Sequence, residues 1–245
     1  MGLFLAMTLL AMFLVGHSRW MRLLRWREVA PGIELRQLTN TVDGTKLDVV
    51  AARAEPAQCQ LRVVNVYHNL QDASALSEEV CPRRGAAINA SFFGEDLRPL
   101  GLLIADGRKY VPPHTTGAWG VFWLRHGRPG LVPTPDHIPD DVTQAVQCKP
   151  RLVIAGMIPR FKQQVAARRS AVGLDAHGRI ILAASRTPMS LDAWARCLRD
   201  QLGCVDALNL DGGPSTQLAV RGRATATVPG GWGVPVFLTV ESTAR

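Results

Sequence analysis

The sequence predicts an α+β fold, a mixed β-sheet flanked by helices in a single domain. Three observations lead there. Short apolar segments of strand length recur across residues 33–242, and residues 191–202 carry apolar positions at helical spacing. Strands and helices also follow one another in irregular order, unlike a repeating βαβ chain. At 245 residues and 47% hydrophobic content, the chain is long enough to bury a full core.

Residues 3–15 are apolar and uncharged. They are short of the roughly 20 residues that span a bilayer but match the apolar region of a secretory signal. No Lys or Arg precedes them, and no small-x-small cleavage site follows before Trp20. Trp20-Met21-Arg22-Leu23-Leu24-Arg25-Trp26 instead has the aromatic and basic character of an interfacial anchor. Residues 1–27 are therefore read as an export signal or membrane anchor and 28–245 as the folded domain. That places the protein in the periplasm, outside the cell or tethered to the membrane.

Within the domain, residues 33–35, 47–50 and 61–66 read as strands, with a polar break at 40–44. A helix is expected at 73–81, capped by Asp72 and ended by Pro82 and Gly85. Ala86-Ala87-Ile88 is a strand that delivers Asn89, and residues 100–104 and 119–124 are strands around an Asp106-Gly107 corner. Residues 129–141, with four prolines, read as a surface connection. Residues 151–155 form a further strand, and 171–175 with 180–183 form a hairpin turning at Ala176-His177-Gly178. The helix at 191–202 has Ser190 as N-cap, a face of Leu191, Trp194, Ala195, Leu198 and Leu202, and Gly203 as terminator. A strand at 204–210 follows it.

The net charge is +8, of which the first 36 residues supply +3. What remains is mildly basic, suited to anionic ligands but without the dense basic stripe or the motifs of a nucleic-acid binder. The five cysteines form no Cys-x-x-Cys pair and the histidines are scattered, so no metal site and no cofactor are expected. An oxidising compartment would permit one or two disulfides; Cys204 reads as an inert buried thiol.

The chemistry concentrates in Asn209-Leu210-Asp211-Gly212-Gly213-Pro214-Ser215, where an apolar strand ends on a carboxylate followed by two glycines and a hydroxyl residue. Glycines let backbone approach a ligand and turn N–H groups toward an anion. Asp-Gly is also an ordinary hairpin corner. Two other pieces could share the cleft: Asn89-Ala90-Ser91-Phe92-Phe93 and Arg168-Arg169-Ser170.

Ala87-Ile88-Asn89-Ala90-Ser91-Phe92-Phe93, Pro99-Leu100-Gly101-Leu102-Leu103-Ile104, Arg169-Ser170-Ala171-Val172-Gly173 and the run from Leu202 to Gly213 occur in an order that resembles the phosphodiester glycosidase family. Its bacterial members are often described as exopolysaccharide-related. The resemblance covers about residues 33–242 and departs at Pro214, where the family has a third glycine, and at Ala90-Ser91, where glycine is commoner. Proline offers no N–H to a phosphate.

The resemblance implies hydrolysis of the bond between an anomeric carbon and a phosphodiester oxygen. A departing phosphate monoester, with a second pKa of about 6, needs little protonation. The site would then need positive charge and N–H donors more than a strong acid. On this reading Asp211 is nucleophile or base, Arg169 binds the phosphate with Arg168 as its substitute, and Asn89 and Ser215 hold sugar hydroxyls or the carboxylate. Asn209, Gly212 and Gly213 line the substrate site and Phe93 lines the sugar face. Glu95, Asp96 and Asp175 are the candidates for a second carboxylate. The expected partner is a carbohydrate or sugar-phosphate substrate. The alternatives are a non-catalytic envelope module binding phosphorylated glycans and a serine hydrolase using Ser215, which lacks the Gly-x-Ser-x-Gly elbow.

Overall fold

A computed structural model describes residues 25–244 apart from 43, 70–73, 135–137 and 163–164. Nearly all of the expected anchor segment, and Asp72, lie outside the described residues. In chain order the strands are β1 (Arg27–Ala30), β2 (Ile33–Leu38), β3 (Thr41–Val42), β4 (Thr45–Lys46), β5 (Val49–Ala54), β6 (Cys59–Asn65), β7 (Gly85–Asn89), β8 (Leu103–Ala105), β9 (Arg108–Val111), β10 (Gly120–Arg125), β11 (Arg128–Pro133), β12 (Gln144–Cys148), β13 (Arg151–Val153), β14 (Ser170–Asp175), β15 (Ile180–Ser185), β16 (Cys204–Asn209), β17 (Leu218–Arg221), β18 (Ala226–Val228) and β19 (Val236–Ser242). Helices α1 (Val66–Asn69) and α2 (Ser77–Val80) are single turns, and α3 (Leu191–Arg196) runs on into a π-helical turn at Cys197–Gln201.

The strands form three large sheets and one small ribbon. The first sheet has the order β1-β2-β5-β15-β14-β16-β13, the second β11-β10-β12-β8-β9, and the third β18-β17-β7-β19-β6; β3 and β4 pair alone. Every ladder among them is antiparallel. With 47% strand and 10% helix, the fold is β-rich. The expected α+β arrangement, a mixed sheet between helices, is thereby corrected.

The physical reason lies in burial. Ile180, Leu182 and Ala184 of β15 point into the core shared by the three sheets, while Ile181 and Ala183 pack beneath α3. A strand covered on both faces reads as an unbroken apolar run, the pattern otherwise typical of parallel sheets. Here another sheet covers one face, and tight turns at Asp106-Gly107, His126-Gly127 and Gly178 join antiparallel neighbours.

The 171–175/180–183 hairpin and the 191–202 helical segment form as expected. Ser190 Oγ accepts from the Ala193 N–H at 3.2 Å, Trp194 is fully buried, and Gly203 takes a φ of +80°. Helix α2 begins at Ser77, with the Leu76 N–H donating to Glu79 Oε2 at 2.6 Å. The expected connection at 129–141 opens with β11, an edge strand, where Pro129 and Pro133 forfeit no ladder bond on the open side. Gly130 sits directly under Trp123; a Cβ there would fall 2.2 Å from the indole.

Candidate active site

Strand ends from all three sheets converge on Asp211. Strand β16 pairs with β14 through Asn209 opposite Ala171, and Leu210 N–H continues that ladder to Ser170 O at 2.9 Å. One residue later the Asp211 N–H donates to Ala90 O, just past β7, at 3.0 Å. Asp211 thus stands on the seam between the first and third sheets. The second sheet reaches the same place, since Cys148 Sγ at the end of β12 lies 3.6 Å from Ala90 O.

The N–H groups of the Gly-Gly corner turn inward, to this carboxylate and to the main chain. Gly212 N–H donates to Asp211 Oδ1 at 2.9 Å, and Gly213 N–H donates to Arg168 O at 2.9 Å. Ser215 and Thr216 N–H close a single 3-10 turn onto Gly212 and Gly213. The donors that sequence offered to a phosphate are therefore used internally. Glycine is still needed: Gly213 adopts φ +62°, and a Cβ on Gly212 would come 3.0 Å from Arg168 O.

Asp211 is partly buried, and desolvation raises its pKa above the ordinary aspartate value. Hydrogen bonds from Ser215 and the Gly212 N–H oppose that shift without cancelling it. Among the described residues, Asp211 has no ion pair to a cation and no hydrogen bond to a second carboxylate. Its charge reaches the Cys148 thiol, whose pKa is pushed up first by burial and then by Asp211. Ser215 is buried, and its Oγ accepts from Trp232 Nε1 at 3.0 Å.

Asn89 is buried and makes three side-chain hydrogen bonds. Its Nδ2 donates to Asp211 O at 2.7 Å, while Oδ1 accepts from Ser170 Oγ at 2.7 Å and from Gln217 N–H at 3.0 Å. It clips the Asp211 main chain to two sheets, which leaves one Nδ2 N–H uncommitted. Asn209 donates from Nδ2 to Lys149 O at 3.1 Å and to Leu210 O at 2.9 Å, so it fixes the strand end beside Lys149. The Lys149 ammonium lies 4.6 Å over Trp119, which stacks on His114 at 4.7 Å. Among the described residues no carboxylate neutralises it.

The two arginines separate. Arg168 donates through NH2 to Thr216 O at 2.8 Å and to Pro229 O, beside the corner, and its buried Nε has no partner. Arg169 points elsewhere, with Nε donating to Met189 O at 3.0 Å and NH2 to Val165 O. Burial lowers both pKa values. The guanidinium adjoining the Asp211 corner is thus that of Arg168. Phe93 packs with Val64, Val80, Val234 and Phe237 in a separate apolar cluster, whereas Phe92 turns toward Trp119.

Of the candidate second carboxylates, Asp175 pairs opposite Cys204 at the far end of β14, about 16 Å of strand from Asn209. Glu95 and Asp96 are exposed, and Asp96 pairs with Arg98. Ser170, named in sequence within a cleft piece but given no role, hydrogen-bonds Asn89, and Gln217 and Trp232, not singled out in sequence, also hydrogen-bond residues of the Asp211 corner. The isolated Trp232 between Gly231 and Gly233 was the available signal. All five cysteines are free. No cluster of three His, Cys, Asp or Glu side chains placed to hold a metal occurs among the described residues.

A family model for phosphodiester glycosidases matches residues 83–241, well over half of the chain, including the Asp211 corner and the strand ends around it. The chain belongs to the phosphodiester glycosidase family. Among solved structures, this phosphodiester glycosidase domain is similar to the zebrafish N-acetylglucosamine-1-phosphodiester alpha-N-acetylglucosaminidase catalytic domain auto-inhibited by its pro-peptide. That match has a TM-score of 0.66 and 18% identity, and covers 89% of this chain and 88% of that one. A hypothetical protein from Synechocystis matches with TM-score 0.53 at 19% identity, over 86% and 62% of the two chains. A protein of Burkholderia pseudomallei described as exported matches with TM-score 0.53 at 13% identity, over 80% and 74%. No curated protein matches the sequence. No helix among the described residues is long and apolar enough to cross a membrane.

Proposed function

We propose that this phosphodiester glycosidase family member hydrolyses glycosyl-1-phosphodiesters in the cell envelope or outside the cell, with Asp211 as the reacting carboxylate. The single observation that carries this reading is the environment of Asp211: partly buried, raised in pKa, held by one N–H and one hydroxyl, and unneutralised. A structural carboxylate at a strand end would have a cation or a full set of donors.

In its ionised form Asp211 stabilises the positive charge that develops at the anomeric carbon as the bond to phosphate oxygen breaks. The phosphate monoester leaves with the bonding electrons. Water adds to the anomeric carbon, and its proton passes to Asp211. Because phosphate is a good leaving group, one carboxylate suffices on the reacting face. Arg168, through N–H groups that remain free beside the corner, and Lys149 supply positive charge to the phosphate. Asn89 is a positioning residue that holds the Asp211 backbone.

The test is turnover of a panel of glycosyl-1-phosphodiesters by the wild type and by Asp211→Asn. The expected loss in kcat is about 10²–10⁴-fold with substrate binding kept. Equal turnover by the two proteins would remove Asp211 from the chemistry. Binding without turnover by the wild type would make the chain a glycan-binding module.

A further inference from the structure

We propose that the exposed indole of Trp232 is the platform on which the substrate's sugar ring stacks. The inference rests on the reading of Asp211 as the reacting group. Trp232 is 52% exposed, one of few large apolar side chains so placed among the described residues. Burying a side chain of this kind is worth a few kcal/mol, so leaving it open forgoes stability.

Its orientation is fixed. Trp232 Nε1 donates to Ser215 Oγ at 3.0 Å, and Ser215 in turn hydrogen-bonds Asp211. Two hydrogen bonds in series place the ring's polar edge within roughly 6 Å of the carboxylate. The backbone is tied to the same corner: Gln217 Nε2 donates to Trp232 O at 3.1 Å, and Gly231 N–H donates to Pro214 O at 2.7 Å. The flanking glycines permit this approach. A Cβ at Gly231 would meet Pro214 at 3.1 Å, and one at Gly233 would meet Ser74 Oγ at 2.8 Å.

A large aromatic surface, open to solvent yet pinned by its N–H edge, suits a ligand with an apolar face. The C–H face of a pyranose carries slight positive charge and meets the negative face of an indole favourably. The span from Asp211 to the ring matches a sugar whose anomeric carbon sits at the carboxylate. Phe93 is only partly exposed and packs against a separate apolar cluster, so it offers no comparable open ring. Among the described residues no ring or cation stacks on Trp232.

The experiment uses the full chain and a panel of methyl glycosyl-1-phosphates, with dimethyl phosphate as the sugar-free control. Affinities are measured by calorimetry on Asp211→Asn, alone and combined with Trp232→Ala or Trp232→Phe, and turnover is measured on the corresponding single variants. Trp232→Ala is expected to weaken glycosyl binding at least tenfold, Trp232→Phe by less than about threefold, and dimethyl phosphate binding should be unchanged by either; a tenfold change is 1.4 kcal/mol. Should Trp232→Ala fail to fold, Trp232→Phe decides: it is expected to abolish the part of the tryptophan fluorescence change that glycosyl phosphates cause and dimethyl phosphate does not, and persistence of that sugar-specific part would overturn the platform. Equal glycosyl affinity with and without the indole would overturn it too, as would failure of every glycosyl member to bind. If binding depends on Trp232 but the wild type turns nothing over, the platform stands and the catalytic reading falls.

Discussion

Asp175 and Asp211 occupy ends of the neighbouring strands β14 and β16, and both are followed by a glycine-bearing turn. Asp175 is saturated: Oδ1 accepts from the His177 and Arg179 N–H groups at 2.9 and 3.0 Å, and Oδ2 accepts from Arg179 Nε at 2.7 Å. Although burial opposes it, that set of donors holds its pKa below the ordinary value. Asp211 has one N–H, one hydroxyl and no cation, and burial prevails in the upward direction. The same side chain at similar corners is a structural fastener in one place and, on the proposed function, the reacting base in the other. The count of donors and the presence of a cation decide which.

The largest expected contrast comes from replacing each acid by its amide. Asp211→Asn should lose about 10²–10⁴-fold in kcat while its melting temperature rises by a few degrees, because a costly buried charge is removed. Asp175→Asn should keep turnover and lose about 2 kcal/mol in denaturant unfolding, since charge-assisted hydrogen bonds are broken. Asn89→Leu frees the Asp211 backbone and strands Ser170 and Gln217; both effects should appear together, about 2 kcal/mol of stability and about tenfold in kcat.

The arginines sharpen the comparison next. Arg168→Met should raise KM for phosphodiesters by about tenfold, whereas Arg169→Met should change KM less than threefold and lower the melting temperature. The smallest effects are the pH slopes. Asp175, depressed in the fold, contributes stability above the free-aspartate range near about 3.9 that is lost as pH falls through its folded pKa. Asp211, raised in the fold, contributes in the opposite sense. Its share is complete below the unfolded pKa and is lost as pH rises through the folded value. Activity that needs the ionised form should fall on the acid side at a pH above the free-aspartate pKa.

Local patterns carried much of this structure into the sequence. The strand ending on Asp211, the 171–175/180–183 hairpin and the Ser190-capped helix are legible because each rests on contiguous residues. What was not legible depends on residues far apart. Which strand flanks β15 on the side away from its hairpin partner, and in which direction, cannot be read from an apolar run, because burial on both faces gives the same run either way. The edge strand β11 was hidden by its prolines, and its pairing depends on Trp123 covering Gly130. Arg168 and Arg169 are equivalent in sequence. The carbonyls they reach separate them, Thr216 and Pro229 for Arg168, Met189 and the nearby Val165 for Arg169. Asn89 ends an apolar strand and so stands out in the sequence, yet its role as a clip on the Asp211 main chain depends on three partners that lie 81 to 128 positions away along the chain.

The most direct measurement is carboxyl NMR of the wild type with ¹³C-labelled aspartate, the two signals assigned by Asp211→Asn and Asp175→Asn. Asp211 should titrate above the free-aspartate pKa of about 3.9 and Asp175 below it. An Asp211 signal that titrates at or below that value would contradict the assignment of this carboxylate as the reacting base.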